Sequence, residues 1–285
     1  MAELAFPIAV LDLDGTLLTT QKTISQENQK ALKSFQNKGG QIILASGRHP
    51  ISVAWHARLL GLTGWHIAFD GAVLVHLPAL DVPWEFEYIR SLDTESTKEM
   101  IDFLVTYPDA QCLAFHEEKL YMQPGERSSF IDQRFPILEG QPDVTPSDWD
   151  GGIPIYSGID WKEKALMHPL HKITVFAQES LKEICEKLSM QNVGKISSSD
   201  AKSVEISPIG ISKGNTLMHL ADRLGFTADQ TIAFGDYYND TALLTAAGMG
   251  IAMGNAPEEI QRIAYQVTES NNEDGVAKGL KRWAY

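Results

Sequence analysis

Cysteine is scarce in this 285-residue chain: Cys112 and Cys185 stand far apart, with no CxxC spacing. That excludes a disulfide framework and a cysteine-built zinc site, and each thiol reads as a small buried apolar residue. Long apolar runs are missing as well, since none approaches the roughly 20 residues needed to cross a bilayer. The opening Met-Ala-Glu-Leu-Ala-Phe-Pro carries neither a basic n-region nor a cleavage site. These absences predict a cytoplasmic protein with no membrane partner. Positive charge is short too, with 24 Lys and Arg against 37 Asp and Glu, a net −13. A surface of that sign repels a phosphate backbone and no basic stripe offsets it, so no nucleic-acid partner is expected. There is no repeat at the period of solenoids, and no feature calls for an obligatory protein partner.

What remains is an ordinary globular composition, 44% apolar and 21% charged, long enough for one large domain or two smaller ones. The first 80 residues read as strand, helix, strand, helix, strand. Phe6 to Leu13 is an apolar run of the kind a buried parallel strand needs. Ser25 is placed to cap a helix carrying Ala31, Leu32 and Phe35, and Gly39 to close it. Gln41–Ala45 is a second strand, Pro50 opens a second helix, and His66–Phe69 makes a third strand. The rhythm returns late: helix at Thr216–Leu224, strand at Thr231–Phe234, helix at Thr241–Ala247, strand at Met249–Met253, a helix from Pro257, and a last strand at Tyr265–Thr268. Such alternation predicts an α/β fold, a Rossmann-like doubly wound parallel sheet.

Between about 84 and 195 the pattern changes. Strand-like runs (Glu85–Arg90, Cys112–His116, Lys119–Gln123, Lys172–Ala177) accompany two helices, Thr94–Val105 and Ser180–Met190, and Glu139–Gly158 is rich in Pro, Gly and Asp. This reads as an inserted α+β cap over 84–195, with the catalytic core at 1–83 and 196–285.

The motifs that carry chemistry fall at strand ends, the edge where open α/β sheets bind ligands. Leu11-Asp12-Leu13-Asp14-Gly15-Thr16-Leu17 puts two aspartates at the end of the first strand, with Gly15 permitting the tight turn that follows. Gly235-Asp236-Tyr237-Tyr238-Asn239-Asp240 puts two more carboxylates and an amide at a later strand end. Close carboxylates repel unless a cation sits among them, and an all-oxygen set with few protein ligands suits Mg²⁺. Ala45-Ser46-Gly47-Arg48 offers a hydroxyl and backbone N–H groups before a helix, where phosphoryl oxygens can be held. Lys213 opens a helix, an unfavourable place for a cation unless an anion is near. His49, His116, His168 and His171 share no ligand spacing and read as structural or surface residues. Trp84, Trp149 and Trp161 read as packing.

In this order the motifs resemble those of the haloacid dehalogenase superfamily, specifically the Cof-like phosphatases with a large α+β cap inserted after the third core strand. Ala252-Met253-Gly254-Asn255-Ala256 also looks like a segment of that family. The resemblance implies a Mg²⁺-dependent phosphatase that cleaves small phosphate esters through an aspartyl-phosphate. Asp12 would be the nucleophile and Asp14 the acid/base, with Ser46 and Lys213 holding the phosphoryl group. Mg²⁺ would be held by Asp12, the main-chain carbonyl of Asp14 and Asp236, with Asn239 and Asp240 in support. Gly47, Arg48, Asn239 and Asp70 are the expected surroundings of the ester. Asp70 is a departure, since relatives commonly carry Asn-Gly where this chain has Asp70-Gly71, which makes it a candidate determinant of substrate choice. A phosphomutase of the same superfamily would use the same aspartates, and a non-catalytic phosphometabolite-binding protein could keep the metal site.

Overall fold

The computed structural model describes residues 4–78, 84–125, 152–191, 193–200 and 202–285. The chain divides into two compact units, one drawn from Met1–Arg48, Val53–Glu87 and Ser212–Tyr285, the other from His49–Ser52 and Tyr88–Ile211.

The first unit begins with β1 (Ile8–Leu11), all four residues buried, as an unbroken apolar strand covered on both faces must be. α1 (Gln26–Asn37) follows. Ser25 starts it by accepting the Asn28 N–H at 3.1 Å, and Gly39, at φ +91°, lies just beyond its end. β2 (Gln41–Leu44), α2 (Pro50–Leu59) and β3 (Gly64–Ala68) come next. β3 touches β2 through a single parallel bridge, Ala45 to Ile67. It then turns at Gly71, φ +111°, into β4 (Val73–Leu77), and β5 (Glu85–Tyr88) completes a three-stranded sheet ordered β3-β4-β5. The sequence pattern anticipates β3 but not its hairpin with β4.

The second unit contains α3 (Thr94–Leu104), β6 (Gln111–Phe115), β7 (Leu120–Met122), β8 (Ile155–Tyr156), α4 (Trp161–Ala165), β9 (Lys172–Phe176), α5 (Leu181–Gln191), β10 (Lys195–Asp200) and β11 (Ser203–Ser207). Its strands lie in the order β10-β11-β9-β6-β7-β8, antiparallel except for β7 with β8. Met100, Ile101 and Leu104 of α3 and Ile184 and Leu188 of α5 share one core with Ile173, Val175, Val204 and Ile206. This is the α+β arrangement expected for the middle of the chain. Cys112 and Trp161 are buried in that core, while Cys185 is half-buried at its margin. Residues 139–151 of the Pro/Gly/Asp-rich stretch, Trp149 among them, lie outside the described residues. Of the four histidines read as structural or surface residues, His49, His116 and His171 are buried polar groups of the interior. Glu117 pairs with His116 Nε2 at 2.9 Å and His171 Nε2 at 3.1 Å and accepts the Tyr88 hydroxyl, and His49 Nε2 meets the His116 carbonyl at 2.7 Å.

The chain then returns to the first unit with α6 (Lys213–Leu224), β12 (Thr231–Gly235), α7 (Thr241–Ala246), β13 (Met249–Ala252), α8 (Glu258–Ile263), β14 (Gln266–Val267) and α9 (Gly275–Trp283). The main sheet is wholly parallel, ordered β14-β13-β12-β1-β2. β1 sits inside it, Val10 lying opposite both Ala233 and Ile43. Chain order reverses between β1 and β12, the switch point at which a doubly wound sheet opens a crevice at its carboxyl edge. The expected helix at Thr216–Leu224 starts earlier, at Lys213, and Leu224 is exposed rather than part of its buried stripe. Among the described residues no helix is long and apolar enough to cross a membrane.

Candidate active site

Every site segment of the first unit leaves the carboxyl end of a strand or opens the helix beside it. Asp12 follows β1 directly, its N–H donating to the Phe234 carbonyl of β12 at 3.1 Å. Gly15 then turns at φ +79°, and a Cβ built on it would lie 2.2 Å from Asp236 Oδ2. Glycine is therefore required twice there, for conformation and for contact. Ser46 follows β2 by two residues, is 1% exposed, and accepts the Arg48 N–H at 3.2 Å. Ser212 caps α6 through the Asn215 N–H, which leaves Lys213 as the first helical residue. Asp236 follows β12, and Asp240 folds back so that its Oδ2 accepts the N–H groups of Asp236 and Tyr237 at 3.0 and 3.2 Å.

Lys213 is the cation of this cluster. Its Nζ lies 2.6 Å from Asp12 Oδ1 and 2.7 Å from Asp240 Oδ1, and its side chain is 0% exposed. Oxygens of Asp12, Asp236 and Asp240 lie within 4.8 Å of one another. Burial works against the charge on Lys213, but Asp12, Asp240 and Asp70 outweigh it and hold the ammonium well above the usual lysine range. Two of the carboxylates are raised as well. Burial pushes Asp12 up, and Asp240 and Asp236 reinforce that against the pull of Lys213. Burial and Asp240 push Asp236 up to about 7, against Thr16 and Lys213. One ammonium shared among three carboxylates leaves excess negative charge, and the direction that follows is a charged Lys213 with Asp12 and Asp236 raised beside it. An oxygen-lined cluster of that charge is chemically suited to a hard divalent cation. Among the described residues, the Asp236 carboxylate meets a Thr16 hydroxyl at 3.0 Å and, at a long 3.4 Å, the Asn255 amide. Asp240 has both oxygens engaged, by Lys213 and by backbone.

Asp14 is placed differently. Its carboxylate turns to Arg48, which forks onto it through Nε at 2.6 Å and Nη2 at 2.9 Å, and to Lys22 Nζ at 2.5 Å. Burial alone would raise its pKa, but the two cations hold it well below the usual carboxylate range. Asp70 sits on the Ser46 side. Its N–H donates to the Ser46 carbonyl at 3.0 Å, and its Oδ1 accepts Asn239 Nδ2 at 2.8 Å. A Cβ on Gly47 would lie 2.8 Å from Asp70 Oδ2. Phe69, Asp70 and Gly71 all have positive φ, 47°, 54° and 111°, so two non-glycine residues in strained backbone aim that carboxylate.

The sequence reading missed Thr16 and Lys22. Thr16 lies within the first motif and was legible as a hydroxyl beside two aspartates. Lys22, eight residues past Asp14 in the loop before Ser25, carried no periodic or spacing signal.

Residues 9–280 match the family model described as haloacid dehalogenase-like hydrolase. A 5-amino-6-(5-phospho-D-ribitylamino)uracil phosphatase of Bacillus subtilis is 27% identical over 276 residues, covering 97% of this chain and 95% of that protein. A second B. subtilis phosphatase of the same description is 29% identical over 280 residues, covering 97% of each. Among solved structures, a haloacid dehalogenase-like hydrolase from Bacteroides thetaiotaomicron superposes with a TM-score of 0.82 at 26% identity, covering 97% of this chain and 99% of that one.

Proposed function

The chain belongs to the haloacid dehalogenase-like hydrolase family, and from that premise we propose that it is a Mg²⁺-dependent phosphatase of small phosphate monoesters, acting through an aspartyl-phosphate on Asp12. The observation that carries the reading is the buried ammonium of Lys213 at 2.6 Å from Asp12, inside a cluster of three carboxylates at the sheet's switch point. An anionic nucleophile meets an anionic ester only where positive charge is arranged in advance.

Asp12 attacks phosphorus in line, and the ester oxygen leaves with the bonding pair and takes a proton from Asp14. Asp14 then accepts a proton from the water that attacks the acyl phosphate, which frees inorganic phosphate and regenerates Asp12. Lys213 and Ser46 hold the non-bridging oxygens during both steps. An ester bound beside Arg48 and Lys22 competes for their positive charge, which releases Asp14 to carry its proton. Asp12 and Asp236 would hold Mg²⁺, and when bound the ion neutralises charge on the transferring phosphoryl group. The inserted segment, expected at about 84–195 and falling in the unit that holds Tyr88–Ile211, acts as a cap that selects the leaving group. Two relatives are named as phosphatases of a phosphoribitylamino-uracil, which supports a phosphorylated cofactor precursor or sugar phosphate as substrate.

Phosphate release over a metabolite panel, with EDTA and added Mg²⁺, tests the reading. Activity is expected to vanish on chelation and return with Mg²⁺. Asp12→Asn should abolish both turnover and covalent labelling, and substantial turnover in that variant would replace the mechanism with direct attack by water. An isomeric phosphate ester in place of free phosphate would indicate a mutase.

A further inference from the structure

Asn255 lies on the loop between β13 and α8 and has no part in the mechanism above. Its side-chain Oδ1 accepts the Asn271 N–H at 2.9 Å. Because that end must be the acceptor, the amide nitrogen is the end that faces the site. Nδ2 donates to the Gly15 carbonyl at 2.9 Å and reaches Asp236 Oδ2 at 3.4 Å. Asn271 is 4% exposed and donates its own Nδ2 to the Leu18 carbonyl at 2.9 Å. The turn after Asp14 is thus tied at both Gly15 and Leu18 to the segments that follow β13 and β14.

The consequence concerns Asp236. Its Oδ1 is held by Thr16 at 3.0 Å, from the same turn, and its Oδ2 by Asn255. The α-carbon of Gly15 presses against that carboxylate, since even a methyl group there would fall 2.2 Å from Oδ2. With the two in direct contact, a small displacement of the turn displaces the carboxylate. The Asn255 contact to Asp236 is long and weak beside its bond to Gly15. The amide therefore fixes the turn firmly while leaving Oδ2 lone pairs open.

We propose that Asn255 is a positioning residue for the cation site, an amide that locks the Asp14–Gly15 turn against Asp236 so that the Asp12 and Asp236 carboxylates converge on one divalent ion. This rests on the metal-dependent reading of the site. Partners that orient a metal's ligands without binding it typically contribute about 10–100-fold in affinity.

The test is direct binding of Mn²⁺ to the full-length, chelator-treated protein, followed by the electron paramagnetic resonance signal of the free ion. Asn255→Ala is expected to raise the Mn²⁺ dissociation constant at least about tenfold. Asn272→Ala serves as the control. Its side chain accepts the Thr20 N–H and hydroxyl at 3.0 and 3.2 Å, so it ties the loop after β1 to the segment that follows β14 without reaching Asp236, and its Mn²⁺ affinity should match the wild type. If circular dichroism shows Asn255→Ala to be unfolded, Asn255→Ser is read in its place. Unchanged affinity on substitution of Asn255, or an equal loss in the Asn272 variant, would reduce the residue to a structural tie. Wild-type protein that binds no Mn²⁺ would overturn the inference outright. Protein that binds Mn²⁺ in this pattern and hydrolyses no ester would sink the phosphatase reading while leaving the inference standing.

Discussion

Replacing Lys213 with methionine separates the two tasks of the buried cation. Methionine retains most of the stem's length and apolar volume, so packing changes little and the ammonium is the main loss. Asp12 and Asp240, with side chains 6% and 1% exposed, would then face each other and Asp236 without their shared partner. Removing one member of a buried ion pair costs about 3–5 kcal/mol. For a unit of roughly 150 residues that lowers Tm by about 6–20 °C. Asp12 and Asp236, both raised already, can take up protons, so the loss should be smaller near pH 5 than near pH 8. Thermal melts in EDTA at both pH values, with circular dichroism to establish folding, measure this. Turnover should fall about 10²–10³-fold, the scale for removal of one transition-state charge partner, and excess Mg²⁺ should not restore it. A metal-free Tm at pH 8 within about 2 °C of the wild type would show that the pair contributes less than about 1 kcal/mol, and the argument from buried charge would fail.

Asp236 gives a pH prediction of definite sign. Its pKa rises from an ordinary 3.8 to about 7 on folding, so the native chain holds a proton that the unfolded chain has already released, and stability falls as pH rises through that window. In EDTA, Asp236→Asn is therefore expected to melt above the wild type at pH 8 and level with it near pH 4, and a gain independent of pH would refute the assignment. For Asp70, an ionised carboxylate beside Lys213 and Asn239 adds negative charge near the ester, a penalty of roughly 1 kcal/mol after screening, or several-fold in rate. Asp70→Asn should raise the ratio of kcat/KM for a bis-phosphorylated over a mono-phosphorylated sugar by that factor, at fixed ionic strength. An unchanged ratio would leave Asp70 as a turn residue only.

The parts of the fold legible in the sequence are those written locally. Ile8–Leu11 announces a doubly covered strand, and Ser25, Pro50 and Gly39 mark helix ends because capping depends on neighbours a few residues away. The strand-end motifs are legible for the same reason, since a parallel sheet brings its carboxyl ends together whatever lies between. α9 shows where this stops. Gly275 and Gly279 look like helix breakers, and Asp274 precedes them at φ +60°. A Cβ would fall 2.1 Å from the Glu269 carbonyl at Gly275 and 2.4 Å from the Phe234 ring at Gly279, so both glycines answer to packing partners that no local pattern reveals. β4 was hidden similarly, because its turn runs through the strained Phe69-Asp70-Gly71 step. The ion pairs of Asp14 with Arg48 and Lys22 join residues 34 and 8 apart, and nothing in the chain specified that its carboxylate would turn away from Asp12.

The same logic of close approach explains why a lysine can open α6 at all. A cation in a helix's first turn is disfavoured by about 0.3–1 kcal/mol, and burying it adds a larger penalty. What offsets both is the position of Asp240, one residue ahead of α7. A Cβ on Gly214 would lie 2.1 Å from the Ala242 carbonyl, so the start of α6 packs directly on the backbone of α7. That contact sets the distance between Lys213 and Asp240, while β1, alongside β12, delivers Asp12 to the other side of the ammonium. Glycines at 15 and 214 thus do for the site what its charged residues cannot do for themselves. They bring like charges within a few ångströms of one another and of a single cation, an arrangement whose residual repulsion a divalent ion would relieve.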